Sequence, residues 1–436
     1  MKFKLKAALA VMLALVMALT AIPVSALPRF EAEQTAAEKA EITPAWTVPE
    51  GYNAHDYTKC VTFLEQTDEN GVKNGEKLSE NYDPNDPETW GTNHFSWTSV
   101  TDEQRVHEIR IDDCNLCGCL DVSGCNALEH IDCDSNSLTG VDVSNCTALV
   151  RLYCAHNGIT ELDVTGCSAL YMFYGTYNEI SELNLTDCTA LEVLCCYNNS
   201  LAELELSQNT ALREIWCYDN NLTELDVSQN TALEMLVCSN NSLTALDVSQ
   251  NTALEYLSCY DNNLTELDIT QNAAIWYLSC DGNRLTELDL SNNPRLAYDH
   301  IRAEGNGFIG YYYYKDNSGY YGVFYAYPMN GASFEGFFDE SGALISEGTW
   351  YDWDEAYHYY FEGSHSGNVI ARFSGGEALP GDVDGNGSVS VADAMTVLRI
   401  VLGLSDENGV NTDAADMDGN GSITIIDALI ILRTAM

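Results

Sequence analysis

Two runs of oxygen-bearing side chains near the C-terminus hold the residues best suited to chemistry. Asp382, Asp384, Asn386, Ser388, Ser390 and Asp393 occupy positions 1, 3, 5, 7, 9 and 12 of a loop with Gly387 at position 6. Asp416, Asp418, Asn420, Ser422, Thr424 and Asp427 repeat that spacing around Gly421. Hard oxygen donors so placed wrap a calcium ion: glycine permits the sharp turn, position 7 gives a backbone carbonyl and position 9 acts through water. One such loop is modest evidence. Two in tandem, each running into an apolar helical stretch (ADAMTVLRIVLGL and DALIILRTAM), predict two Ca2+ ions.

No catalytic constellation stands out beside them. The 8 histidines are scattered, no G-x-S-x-G elbow or H-E-x-x-H pair occurs, and carboxylate pairs are too common to be informative. The reading is therefore a non-enzyme. Cys114, Cys117 and Cys119 are close in sequence but lack a second ligand pair, which argues against zinc.

The elements that carry the rest are set by a 21-residue period. Leu120, Val141, Leu162, Leu183, Leu204, Leu225, Leu246, Leu267 and Leu288 share its first position. Within each unit, residues such as Leu236 and Cys238 alternate with Met235, Val237 and Ser239, which predicts a short strand with the first pair inward. Strands of successive units stack into a parallel sheet, and the unit is too short for a helix on its return arm. An asparagine column from Asn136 to Asn283 follows the strand, where an amide can bond turn backbone. Most cysteines fall into two columns, one from Cys133 to Cys280 with Gly175 as the exception and one from Cys125 to Cys188, the latter continuing as Asn209 to Asn293. Neighbours in a parallel column sit about 4.8 Å apart with like vectors, a poor match to disulfide geometry. Buried free thiols are expected.

The formal net charge of −47 argues against nucleic acid as partner. Residues 1–26 have a lysine-rich start, an apolar run and a Val24-Ser25-Ala26 exit, the pattern of an export signal, and no other span suggests a membrane helix in the mature chain. Residues 27–50 read as a linker, 51–105 as the solenoid's N-terminal cap, 106–306 as the solenoid, 307–375 as a small β domain rich in Gly, Tyr and Phe, and 380–436 as the calcium module.

The core L-x-x-L-x-C-x-x-N-x-L, as in Leu233, Leu236, Cys238, Asn241 and Leu243, resembles the leucine-rich repeat. FEGFFDESGALIS resembles the turn of internalin-type B-repeats, with Phe337 where a tryptophan is customary. The paired calcium loops resemble a type I-like dockerin. The expected fold class is α+β and multidomain: a leucine-rich repeat solenoid, a small β domain and an α-helical dockerin with two EF-hand-like loops. The dockerin resemblance implies a cohesin partner on a scaffold of a polysaccharide-degrading, cellulosome-like complex. It places the contacts at Val391, Ala392, Leu398 and Arg399 and at their symmetry mates Ile425, Ile426, Leu432 and Arg433. The protein is then extracellular, or held at a cell surface through the scaffold. A cell-surface adhesin and an accessory carbohydrate-active enzyme are the competing readings.

The sheet's outward face is the remaining candidate. Tyr153, Tyr174 and Trp216 fall at outward strand positions, and Tyr197, Tyr218, Tyr256, Tyr260 and Tyr277 lie beside them. These rings either pack on one another as a ladder or recognise a protein or glycan.

Overall fold

The structure is a computed structural model that describes residues 46–435 except 92, 101, 297, 299, 306, 317–318, 330–331, 352–354, 363–366, 376–382, 384–390, 403–414, 416 and 418–422. The expected export signal over 1–26 and nearly all of the 27–50 linker lie outside the described residues.

Apolar side chains at every 21st residue can be buried together only if successive units stack. They do. Short strands such as Val193–Cys195, Glu214–Trp216 and Met235–Val237 pair in parallel, with Ile215 opposite Leu194 and Leu236. The inward Ile131, Leu152, Phe173, Leu194, Ile215, Leu236, Leu257 and Leu278 are fully buried. On the opposite side Cys117–Asp121, Ser137–Asp142 and Glu161–Asp163 form a three-stranded parallel sheet, after which the described return arm carries no strand until Glu287–Asp289, which pairs antiparallel with His300–Glu304. Among the described residues no coil contains a helix. Ser239 departs from its expected outward place: it follows the strand into the turn, is buried, and its Oγ lies 2.8 Å from Ser258 Oγ.

Two polar columns lock one coil to the next. Asn178 Nδ2 donates to Cys154 O of the preceding coil at 2.9 Å, while its Oδ1 accepts from Ile159 N at 3.0 Å. The residue before each such asparagine has φ between 50° and 57° from Ser135 to Asp261, a left-handed turn that suits the recurring Asn and Asp. In the second column Cys146 Sγ donates to Val122 O at 3.1 Å and Asn209 Nδ2 to Leu185 O at 2.9 Å, the carbonyl 24 residues back in both cases. Thiol and amide exchange there because each supplies one donor to the same acceptor.

The ends are covered differently. Helix α1 (Ala54–Leu64) is N-capped by Asn53 and buries Tyr57, Cys60, Val61 and Leu64 at the first coil. Asn74, at the start of the short helix α2 (Asn74–Leu78), and Gln66 each both donate to and accept from a strand residue, Cys117 and Cys119 respectively. The two amides stand in for a further strand at that edge. At the far end Leu278 and Ser279 pair antiparallel with Tyr313 and Tyr312, so the coil sheet runs on into Gly307–Asp316, Gly319–Pro328, Ala356–Glu362 and Thr349–Tyr351. Tyr311, Tyr313, Phe324 and Phe361 pack beneath this extension.

Helices α3 (Val391–Val401) and α4 (Ile425–Thr434) close the chain, sharing a core of Val383, Ala394, Val397, Ala415, Ala428 and Ile431. No helix of the described residues is long and apolar enough to cross a membrane.

Candidate calcium module and sheet face

The position-12 carboxylates of the two loops are built into the first turns of α3 and α4. Asp393 is fully buried and its Oδ1 accepts from Val383 N at 2.8 Å. Asp427 is fully buried too, and its Oδ2 accepts from Thr424 N and Thr424 Oγ1, both at 2.8 Å. Thr424 in turn caps α4 by accepting from Ile426 N. Asp382, Asp384, Asn386, Ser388, Ser390, Asp416, Asp418, Asn420 and Ser422 lie outside the described residues. Fixed, buried carboxylates continued by an all-oxygen donor set fit a hard divalent cation.

The helix faces repeat one another. Val391 and Arg399 on α3 and Ile425, Ile426 and Arg433 on α4 are exposed, whereas Leu398 and Leu432 are half-buried against the shared core. The side chain of Ala392 lies outside the described residues. Met395 and Leu429, not singled out from the sequence, are 45% and 53% exposed one helical turn beyond Val391 and Ile425. The i, i+4 spacing could have found them.

On the sheet face the tyrosines are brought together in rows. Tyr153 and Tyr174 have centroids 5.1 Å apart, Tyr197 stacks on Tyr218 at 4.2 Å and 11°, and Tyr256 stacks on Tyr277 at 3.7 Å and 8°. Tyr312 of the antiparallel extension continues the last row, edge-on to Tyr277 at 5.6 Å. Tyr260 stands near Asn240, whose Nδ2 lies 3.5 Å from its hydroxyl. Trp216 sits between Cys195 and Val237, outward residues that are nevertheless 4% and 7% exposed. Burial first, and then the neighbouring phenol of Tyr197, push the Tyr218 hydroxyl above the usual tyrosine range. At the N-terminal end burial raises Asp134 to about 6 against the opposing bond from Ala155 N.

Other clusters resolve into structural roles. His55, Asp56 and Cys125 offer ligand atoms within 4.8 Å of one another. Asp56, however, already receives both arms of Arg105, at 2.7 and 2.9 Å, and Val106 N at 3.1 Å. Cys114 turns to Asp112 O and Cys117 to Asn74, so the closely spaced thiols do not converge. All sixteen cysteines are free thiols.

Residues 380–434 match the dockerin type I domain. The chain is thus a leucine-rich-repeat-type solenoid that ends in a dockerin domain. No characterised protein matches it in sequence. Among solved structures it is similar to the functional domain of InlJ from Listeria monocytogenes, described as including a cysteine ladder. That match has 22% identity over 59% of this chain and 78% of that one, with a TM-score of 0.34. It is also similar to YopM, a leucine-rich effector protein from Yersinia pestis, at 22% identity over 41% and 56%, TM-score 0.36. An internalin, InlF, from Listeria monocytogenes matches at 20% over 41% and 72%, TM-score 0.30.

Proposed function

We propose that this is an exported, non-catalytic binding protein that joins a cohesin-bearing scaffold through its dockerin and presents its sheet face to a protein or glycan. The dockerin match over residues 380–434 carries the reading, because a dockerin implies calcium-dependent assembly with a cohesin. Asp382, Asp384, Asn386, Ser388, Ser390 and Asp393 hold one ion, and the set from Asp416 to Asp427 holds the other. Calcium supplies the positive charge that lets these carboxylates share one small space. The loops then set α3 and α4 so that Val391, Ala392, Leu398, Arg399, Ile425, Ile426, Leu432 and Arg433, with Met395 and Leu429, meet the cohesin. A scaffold of a polysaccharide-degrading complex is the setting this chemistry fits.

The solenoid supplies the second contact. Its candidate residues are Tyr153, Tyr174, Tyr197, Trp216, Tyr218, Tyr256, Tyr260 and Tyr277, centred on Tyr197, Trp216 and Tyr218. Tyr and Trp anchor interfaces well because rigid rings lose little entropy on binding. The test is capture of the full chain by immobilised type I cohesins in calcium and in chelator. Capture that survives chelation, or no capture by any cohesin, overturns the dockerin reading. Replacing Trp216 and Tyr218 by serine should weaken the solenoid's ligand about tenfold, roughly 1.4 kcal/mol, with cohesin capture intact.

A further inference from the structure

The sheet face differs from the rest of the surface in charge. Along the strands from Met172 to Ser279 the two outward columns carry one formally charged residue, Glu214. On the return arm from Glu203 to Asp289 the matching outward positions are carboxylates at every place but Ala245. A chain of net charge −47 therefore withholds charge from one strip of its surface. Such an uncharged strip, rimmed by polar residues, marks an interaction surface.

The strip's chemistry selects among partners. Tyr197 with Tyr218, and Tyr256 with Tyr277, spend ring faces on each other at 4.2 and 3.7 Å, whereas a sugar ring stacks on an open face. Met172 and Met235, half-buried in the same strip, call for apolar side chains. Along the turn edge Asp219 and Asp261 flank Tyr218 and Tyr260, and both carboxylates act on the Tyr260 hydroxyl, after burial, to raise its pKa.

We infer that the sheet face binds a polypeptide segment with an apolar or aromatic centre and lysine or arginine side chains placed over Asp219 and Asp261. This rests on the reading of the face as a binding surface and commits it to a basic peptide. The negative field draws such a segment in.

The probe is a random dodecapeptide phage library selected on immobilised full chain, with a neutral and acidic oligosaccharide array run beside it. Enriched peptides should join aromatic or aliphatic residues to Lys or Arg. Their binding should fall about tenfold or more in Asp219→Asn, Asp261→Asn. That variant should keep its fold, since Asn198 and Asn240 hold the same turn position at φ 54° and 51°. Uncharged or acidic consensus peptides, or binding unchanged in the variant, overturn the inference. Oligosaccharide retention lost on Trp216→Ser overturns it while leaving the face a binding surface. Retention of neither library overturns both.

Discussion

Phe173 and Gly175 divide between them the space that a leucine and a cysteine fill in the neighbouring coils. A Cβ built on Gly175 would lie 2.8 Å from Phe173 Cε1 and closer still to Cζ. Glycine in the cysteine column is thus the complement of the larger ring in the leucine column.

The pair should behave as one unit. Phe173→Leu leaves a void and Gly175→Cys overfills the site, each costing about 1 to 3 kcal/mol. Together they restore the pattern of the other coils and should recover most of the loss. Denaturant unfolding of the four chains measures the coupling, and strictly additive losses would show that the two side chains do not share the space.

The thiol columns make the fold sensitive to alkali. Burial is the largest cause pushing Cys146 and Cys167 from 9.0 up to about 12. A folded-state pKa above the unfolded one contributes stability that is present below pH 9 and lost as pH rises towards 12. Unfolding midpoints in reductant should fall across that window. Below it, thiol titration should reach the exposed Cys119 first and the column cysteines only after denaturation. Rapid labelling of the columns in the native state would contradict this.

Much of the fold was legible because one local pattern repeats. The alternation of Met235, Leu236 and Val237 fixes which side chains enter the core, and 21-residue spacing fixes the parallel register. The pairing of Leu278 with Tyr313 was not legible, since an antiparallel contact across a break in period leaves no periodic signal. Ser239 read as outward because alternation was extended past the strand's end into a turn. At the dockerin helices the family motif named Leu398 and Leu432, which are half-buried, while helical spacing from Val391 and Ile425 leads to the exposed Met395 and Leu429.

Calcium removal should act on one part of the chain. The buried Asp393 and Asp427 must share their loops with further carboxylates, and without a cation that repulsion opposes folding. In the full chain, chelator should remove the helical circular dichroism of α3 and α4 together with cohesin capture, and leave the solenoid's own thermal transition in place. An unchanged helical signal would remove calcium from the folding of this module.

Salt should stabilise the solenoid through its return arm. Asp226, Asp247, Asp268 and Asp289 stack in one column, each accepting a backbone N–H two residues on, at 2.8 to 2.9 Å. Those bonds hold Asp226 and Asp247 below the usual carboxylate range, chiefly through the backbone N–H of Ser228 and Ser249. Ionised carboxylates about 4.8 Å apart repel by roughly 1 kcal/mol per pair before screening. Raising ionic strength from about 0.01 to 0.3 M shortens the Debye length from about 30 to 6 Å, so the melting temperature should rise. Lowering pH acts the other way. A depressed folded pKa gives stability that is present above the unfolded value of 3.8 and lost as pH falls through the folded one, so acid should destabilise even as it relieves repulsion. Asp247→Asn with Asp268→Asn keeps an acceptor for the turn N–H and removes two charges. This variant gives up the charge-assisted part of those bonds and should melt lower, and with two repelling charges gone it should show a shallower salt slope; an unchanged slope would place the salt effect elsewhere on the chain.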